Sequence, residues 1–172
     1  MKEISEEILY AEGEIVTLDS RTIEFLKEKA KKNRRKRVRL CMHKDTDALV
    51  HEMIIVQCNG VYIVPHKHIN KSESLHVIEG LVDIFFFDEN GKVINMISMG
   101  DQSSGKIFYH RIAEPIYHTL IVKSDMVIFH ETTRGPFNRS ATIWAPPWAP
   151  VEGGDEKAIK AFMDQLVNLS EL

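Results

Sequence analysis

The stretch Gly60-Val61-Tyr62-Ile63-Val64-Pro65-His66-Lys67-His68-Ile69-Asn70-Lys71-Ser72-Glu73, closing at Gly80, organises this chain. His66 and His68 stand at i, i+2. On a strand those positions project from one face, so both imidazoles reach the same ion. Tyr62 and Val64 share that parity and are expected to line the same interior. Asn70-Lys71-Ser72 reads as a turn, after which Glu73 supplies an oxygen from the next strand. His118, opening the run His118-Thr119-Leu120-Ile121-Val122, is the natural third imidazole. Its competitor is His110, beside a possible strand at Lys106–Tyr109. Pro115, which turns the chain, and the clear strand that follows favour His118. Three histidines and a carboxylate leave coordination positions open for water or substrate, as catalytic metal sites do and closed structural ones do not. A single histidine on an apolar strand is most often a hydrogen-bonded core or surface group. His76 is treated so, because three residues after Glu73 it faces away. His43 and His51 are read as surface or packing residues.

Outward from this stretch, the chain reads as closely spaced strands. Met53–Val56 and Gly60–Val64 are β-rich and separated by Asn59-Gly60. Leu81–Phe87 and Lys92–Ile97 flank Asn90-Gly91, and Asn-Gly between such runs is a strong hairpin signal. Thr119–Val122, Met126–Phe129 and Thr142–Trp144 follow. Strands at this density predict an all-β sandwich or closed barrel rather than a parallel α/β sheet. Three prolines in Ala145–Pro150 end the regular structure.

Both ends differ from this middle. After the short alternating piece Glu14–Leu18, Asp19 or Ser20 caps a helix with apolar Ile23, Leu26 and Ala30. Its end is basic: nine of the thirteen residues from Lys27 to Arg39 are Lys or Arg. Such runs are usually solvated helix faces, although polyanion or membrane-surface binding is the sharper alternative. At the other end, Asp155 caps a helix whose face carries Ile159, Phe162, Leu166 and Leu169. The expected organisation is an extension over 1–37, a barrel over 38–150, and a helix over 151–172 packed on the barrel.

Composition bounds the partners. With 172 residues, 44% apolar and 27% charged, the chain has the size and balance of one globular domain. A net charge of −3 argues against bulk nucleic-acid binding. No apolar run is long enough for a transmembrane segment, and the N-terminus lacks a signal-peptide core. Cys41 and Cys58 form no CxxC pattern, which points to reduced, inert thiols and a cytoplasmic location.

The spacing Gly60-x5-His66-x-His68-x4-Glu73-x6-Gly80 resembles the first sequence motif of the cupin superfamily at every defining position. The second motif departs from the pattern: Pro115-Ile116-Tyr117-His118 lacks its usual glycine and downstream asparagine. Within the cupins, the chain is similar to the WbuC-like family of metalloproteins. The similar pieces are Arg37-x-Arg39-x-Cys41-x-His43, Tyr62–His68, Glu131–Phe137 and Trp144–Pro150. This resemblance implies a cupin-type antiparallel β-barrel (jelly roll, or double-stranded β-helix) with N- and C-terminal helices. It also implies one divalent ion (Fe, Zn, Mn or Ni) at His66, His68, Glu73 and His118, and a link to surface-polysaccharide (O-antigen, lipopolysaccharide) biosynthesis.

The expected substrate is small and anionic or polyhydroxylated. Arg39 and Arg134 offer planar forks for its negative group, and Tyr62 offers a ring for stacking. A metal-dependent isomerase, epimerase or dioxygenase fits; a non-catalytic ligand-binding or regulatory module is the alternative. No catalytic acid or base stands out among Glu73, Glu79, Asp83, His43 and His110. Nothing resembles the His-Asp base pair of metal-free sugar-nucleotide epimerases. The amphipathic C-terminal helix and the sheet edges suggest a homodimer.

Overall fold

The computed structural model describes residues 1–170; the last two residues of the expected C-terminal segment lie outside them. In chain order the elements are β1 (Lys2–Glu3), β2 (Ile8–Tyr10), α1 (Ser20–Lys32), β3 (Arg37–Cys41), β4 (Val50–Cys58), β5 (His66–His68) and β6 (Glu73–Glu79). They continue as β7 (Leu81–Phe87), β8 (Val93–Gly100), β9 (Tyr109–Ile112), β10 (Tyr117–Val122), β11 (Met126–Arg134), β12 (Thr142–Trp144) and α2 (Glu156–Ser170). A seven-stranded sheet, ordered β1-β2-β3-β4-β11-β6-β9, packs on a five-stranded one, ordered β12-β5-β10-β7-β8. No helix among the described residues is long and apolar enough to cross a membrane.

The interior between the sheets is built by alternation. Leu75, Val77, Val127 and Phe129 from one sheet meet Val82, Ile84, Phe86, Met99 and Val122 from the other. Phe85-Phe86-Phe87 is buried on both faces, which explains why it does not alternate with polar residues. Phe86 points inward, while Phe85 and Phe87 pack with Tyr117 and Ile121 beneath Leu166, Phe162 and Met163 of α2. Met163 and Val167 complete that helix face, and Leu169 is left exposed.

The outer face of the seven-stranded sheet is covered by α1. Asp19 caps this helix by accepting from the Thr22 amide at 2.9 Å. Leu26 and Ala30 are sealed against Val38, Leu40, Ile54, Val56 and Ile128. Ion pairs tie the basic run down: Lys27 to Glu24 and Glu79, Lys29 to Glu3, Lys31 to Glu28, and both Arg35 and Arg37 to Glu7.

Three expectations change. The two sheets are not closed into a barrel, because each keeps its own edge strands. The sheets are not wholly antiparallel either: β2 pairs parallel to β3, with α1 as the crossover that a parallel pair needs. That strand is Ile8–Tyr10, while the alternating piece Glu14–Leu18 has no regular structure. Thirdly, Gly60–Val64 is not a strand, because the chain there passes from β4 in one sheet to β5 in the other. The expected turns at Gly80 and Asn90-Gly91 are present, with φ of +90° at Gly80 and +86° at Gly91. A Cβ at Gly80 would also collide with the Met126 carbonyl, so no other residue fits there.

Leu26 is fully enclosed, so Leu26→Ala should destabilise the protein by about 2–5 kcal/mol. Urea unfolding followed by circular dichroism would measure this; a change under about 0.5 kcal/mol would mean α1 is not part of the folded unit.

Candidate metal centre

Between the sheets the interior changes from apolar to polar toward one end, and the histidines gather there. The short β5 is held between β10 and β12, with His66 opposite His118 on one side and opposite Trp144 on the other. His118 lies opposite Phe86 and shares the inward parity of Leu120 and Val122. Glu73 opens β6 in the facing sheet, opposite Thr133 and Ile112. Its approach is fixed by a turn in which Asn70 adopts a left-handed φ of +56°, a conformation asparagine tolerates. Thr133 Oγ1 donates to the Ser72 carbonyl at 3.1 Å and pins the end of that turn.

The imidazoles converge. One ring nitrogen from each of His66, His68 and His118 lies within 4.8 Å of the others. The Nδ1 positions are already engaged: His66 with the Val64 carbonyl at 2.9 Å, His118 with the Ile116 carbonyl at 3.0 Å, and His68 with Thr142 Oγ1 at 2.9 Å. A backbone carbonyl only accepts, so His66 and His118 carry their proton on Nδ1 and leave the Nε2 lone pair free. Anchors of this kind fix tautomer and ring orientation at metal sites. The Nε2 atoms of His68 and His118 are buried without a hydrogen-bond partner. Glu73 Oε2 stands 2.8 Å from His68 Nε2 and Oε1 stands 3.5 Å from His118 Nε2. Neither approach has the orientation of a hydrogen bond, since both nitrogens remain unsatisfied. Buried lone pairs pointing at one another are costly by themselves and are what a cation relieves. The donor set therefore fits a divalent metal.

Electrostatics agree with the geometry. Burial, then the neighbouring His118, pushes His66 down to about 3, so it stays neutral. Burial also pulls His118 down, but the Glu73 carboxylate outweighs it and the net shift is upward. Burial favours the protonated form of Glu73, yet His118 and His68 together hold it well below the usual carboxylate range. Trp144, though half exposed, stacks on His66 with ring centroids 4.6 Å apart and covers one side of the cluster.

The remaining residues singled out by sequence are distributed differently. Arg39 sits on β3 opposite Ile55, on the face opposite Val38 and Leu40, and so points toward the interior. Arg134 is exposed at the end of β11, one position beyond the inward-facing Thr133, and is not brought to the histidines. Tyr62 is not at the cluster either: its hydroxyl donates to the Pro150 carbonyl at 2.7 Å and its ring meets Phe162 edge-on. The cause is the irregular Val61–Pro65 passage, which breaks the parity linking Tyr62 to His66. His110 faces inward opposite Leu75, packed edge-on against Phe86, outside the convergent trio. His130 and Glu131 are adjacent on β11, so at most one of them can face inward, and it is Glu131, which shares the inward face of Phe129 and Thr133 between Leu75 and Met53.

A family described as a domain of unknown function, DUF6016, matches residues 18–99, slightly under half of the chain. No curated protein matches. Among solved structures, the chain is similar to CapF, solved with the inhibitor 3-isopropenyl-tropolone, at TM-score 0.50 and 16% identity, over 62% of this chain and 31% of that one. It is also similar to an oxalate decarboxylase from Lactobacillus farciminis (TM-score 0.46, 15% identity, 58% and 28%). A cupin superfamily protein from Desulfitobacterium hafniense gives TM-score 0.45 and 10% identity, over 57% and 76%. The chain thus spans about a third or less of the length of the first two. At these identities the likeness is one of fold alone.

Metal affinity should fall on acidification, because each ligand imidazole must be neutral to bind. His118 sets the onset: its folded value lies above the ordinary 6.5, so protons compete there first, while His66 resists protonation until about 3. Competition with a chromogenic chelator from pH 8 to 5 should show weakening that begins above pH 6.5. An affinity flat across that range would exclude His118 as a ligand.

Proposed function

We propose that this chain is a divalent-metal protein of cupin fold that binds and transforms a small anionic or polyhydroxylated substrate at the metal. The observation that carries the reading is the convergence of three imidazoles whose Nδ1 positions are all engaged, with the Nε2 lone pairs of His66 and His118 left over. Glu73 is the fourth ligand in this reading, supported by its oxygens at 2.8 and 3.5 Å from two of the Nε2 atoms. The ion would serve as a Lewis acid, polarising a carbonyl or hydroxyl of the substrate or lowering the pKa of a bound water. The chain's own contribution is to fix the tautomer of His66 and His118 and the ring orientation of His68, keep Glu73 ionised beside them, and exclude bulk water with Trp144 and the apolar core. Arg39, directed inward, binds the negative group of the substrate.

An isomerase or epimerase acting on a sugar acid in surface-polysaccharide synthesis is the form of this reading that the WbuC-like resemblance supports. The ion is one of iron, zinc, manganese or nickel, one per chain. Purified protein should hold about one equivalent of such a metal by elemental analysis. His66→Ala combined with His68→Ala should abolish it, and unchanged metal content in the double variant would refute the site.

The working form in this proposal is a homodimer. Because α2 is spent on its own sheet, the surface that supports association is the exposed apolar group Ile78, Ile107, Phe108 and Tyr109 at the β6–β9 edge. Sedimentation at micromolar concentration should give twice the 19.8 kDa chain mass; monomer alone would contradict it.

A further inference from the structure

Among the described residues, five buried side-chain polar atoms have no hydrogen-bond partner, and four of them belong to His68, His118 and His110. The first two histidines turn these atoms toward the metal centre. His110 differs. The residue is only partly buried as a whole, yet both of its ring nitrogens are enclosed and unpaired, and it lies outside the convergent trio. Two registers fix its place. On β9 it stands opposite Leu75, two residues along the inward face of β6 from Glu73, which makes it a diagonal cross-strand neighbour of that carboxylate. Across the sandwich its ring meets Phe86 edge-on, with centroids 6.1 Å apart, and Phe86 lies opposite His118 in its own sheet. His110 therefore borders the candidate metal centre without being one of its ligands. Its surroundings are otherwise apolar: Leu75, Phe86 and, at the next inward position of β9, Ile112. A leucine or phenylalanine would sit there at less cost than a ring with two unsatisfied polar atoms.

We propose that His110 is a specificity-determining residue for the proposed reaction, holding a hydroxyl group of the substrate beside the metal. The inference rests on the metal-site reading and narrows its substrate to one that carries a hydroxyl next to the group bound by the ion. Burial outweighs the pull of the Glu73 charge and keeps the imidazole neutral, so the ring offers one N–H and one lone pair. A carboxylate only accepts and can meet the N–H alone. A hydroxyl both donates and accepts, so a polyhydroxylated ligand has a hydrogen for the lone pair and an oxygen for the N–H. Such a side chain discriminates against a ligand without the hydroxyl, because its own nitrogen is then left buried and unpaired.

The test uses full-length, zinc-loaded protein at pH 8 and two probes. D-glycerate carries hydroxyls beside its carboxylate; methoxyacetate keeps an ether oxygen and has none. Both are titrated by calorimetry into wild type, His110→Phe and His110→Gln. The preference for D-glycerate should fall about tenfold in His110→Phe, and the intrinsic preference of zinc cancels in that comparison. His110→Gln keeps a donor and an acceptor and should retain the wild-type preference within about threefold. Thermal unfolding of the metal-free proteins needs no ligand: His110→Phe should melt at or above the wild-type temperature. An unchanged preference in His110→Phe, a preference in His110→Gln as low as in His110→Phe, no binding of D-glycerate by zinc-loaded wild type, or a lower melting temperature for His110→Phe would each overturn the assignment. Metal content, measured on every protein, separates the two readings. Wild type that takes up no zinc overturns the metal site and the inference with it. Zinc lost in His110→Phe alone would make His110 a ligand and overturn the inference only.

Discussion

The backbone carbonyls of Val64 and Ile116 each receive the Nδ1 proton of the histidine two residues on, and the centre depends on that contact. With the proton fixed there, the Nε2 lone pairs have one direction left, which is toward each other and toward Glu73. Without a cation this arrangement is a buried concentration of acceptors beside a carboxylate. The fold tolerates it because β5 is clamped between β10 and β12 and because Glu73 arrives from the opposite sheet, pinned by Thr133 on Ser72. The candidate ligands thus come from both layers of the sandwich, and the relative placement of the sheets sets the geometry of the site.

That placement is secured by the apolar remainder of the interior. Phe86 is where the two halves meet: it contributes to the core cluster with Leu75 and Phe129, and it lies opposite His118 in register. Phe85 and Phe87 bind the same strand to α2 on its other side. Strand β7 therefore fixes His118 from beneath while the helix fixes β7. Burial by these residues also sets the electrostatics, holding His66 neutral and making the charge of Glu73 effective on its neighbours.

Much of this was legible in the chain, and the exceptions share a cause. The i, i+2 spacing of His66 and His68 required only that the three residues be extended, and they are. Asp19 and Asp155 capped the helices as local chemistry dictates. Tyr62 failed because parity was carried through Val61–Pro65 as though it were strand, and a sheet-to-sheet passage has no parity. The parallel β2–β3 pair was invisible because three residues, Ile8–Tyr10, hold no period, and only the intervening helix makes the pairing possible. For His130 and Glu131 the alternation of a strand says only that at most one faces inward, and the register with Phe129 and Thr133 is needed to say that it is Glu131. The basic run needed partners from elsewhere in the chain, Glu7 and Glu79 among them, before several of its cations could be seen as paired.

The most direct test of the central claim is a crystal structure of metal-loaded protein with anomalous scattering recorded at the absorption edge of the bound element. A single strong anomalous peak is expected between the sheets, about 2.0–2.3 Å from Nε2 of His66, His68 and His118, with a Glu73 oxygen as the fourth protein ligand. A metal bound only at the surface, or an interior with the three imidazoles turned apart and no peak among them, would contradict it.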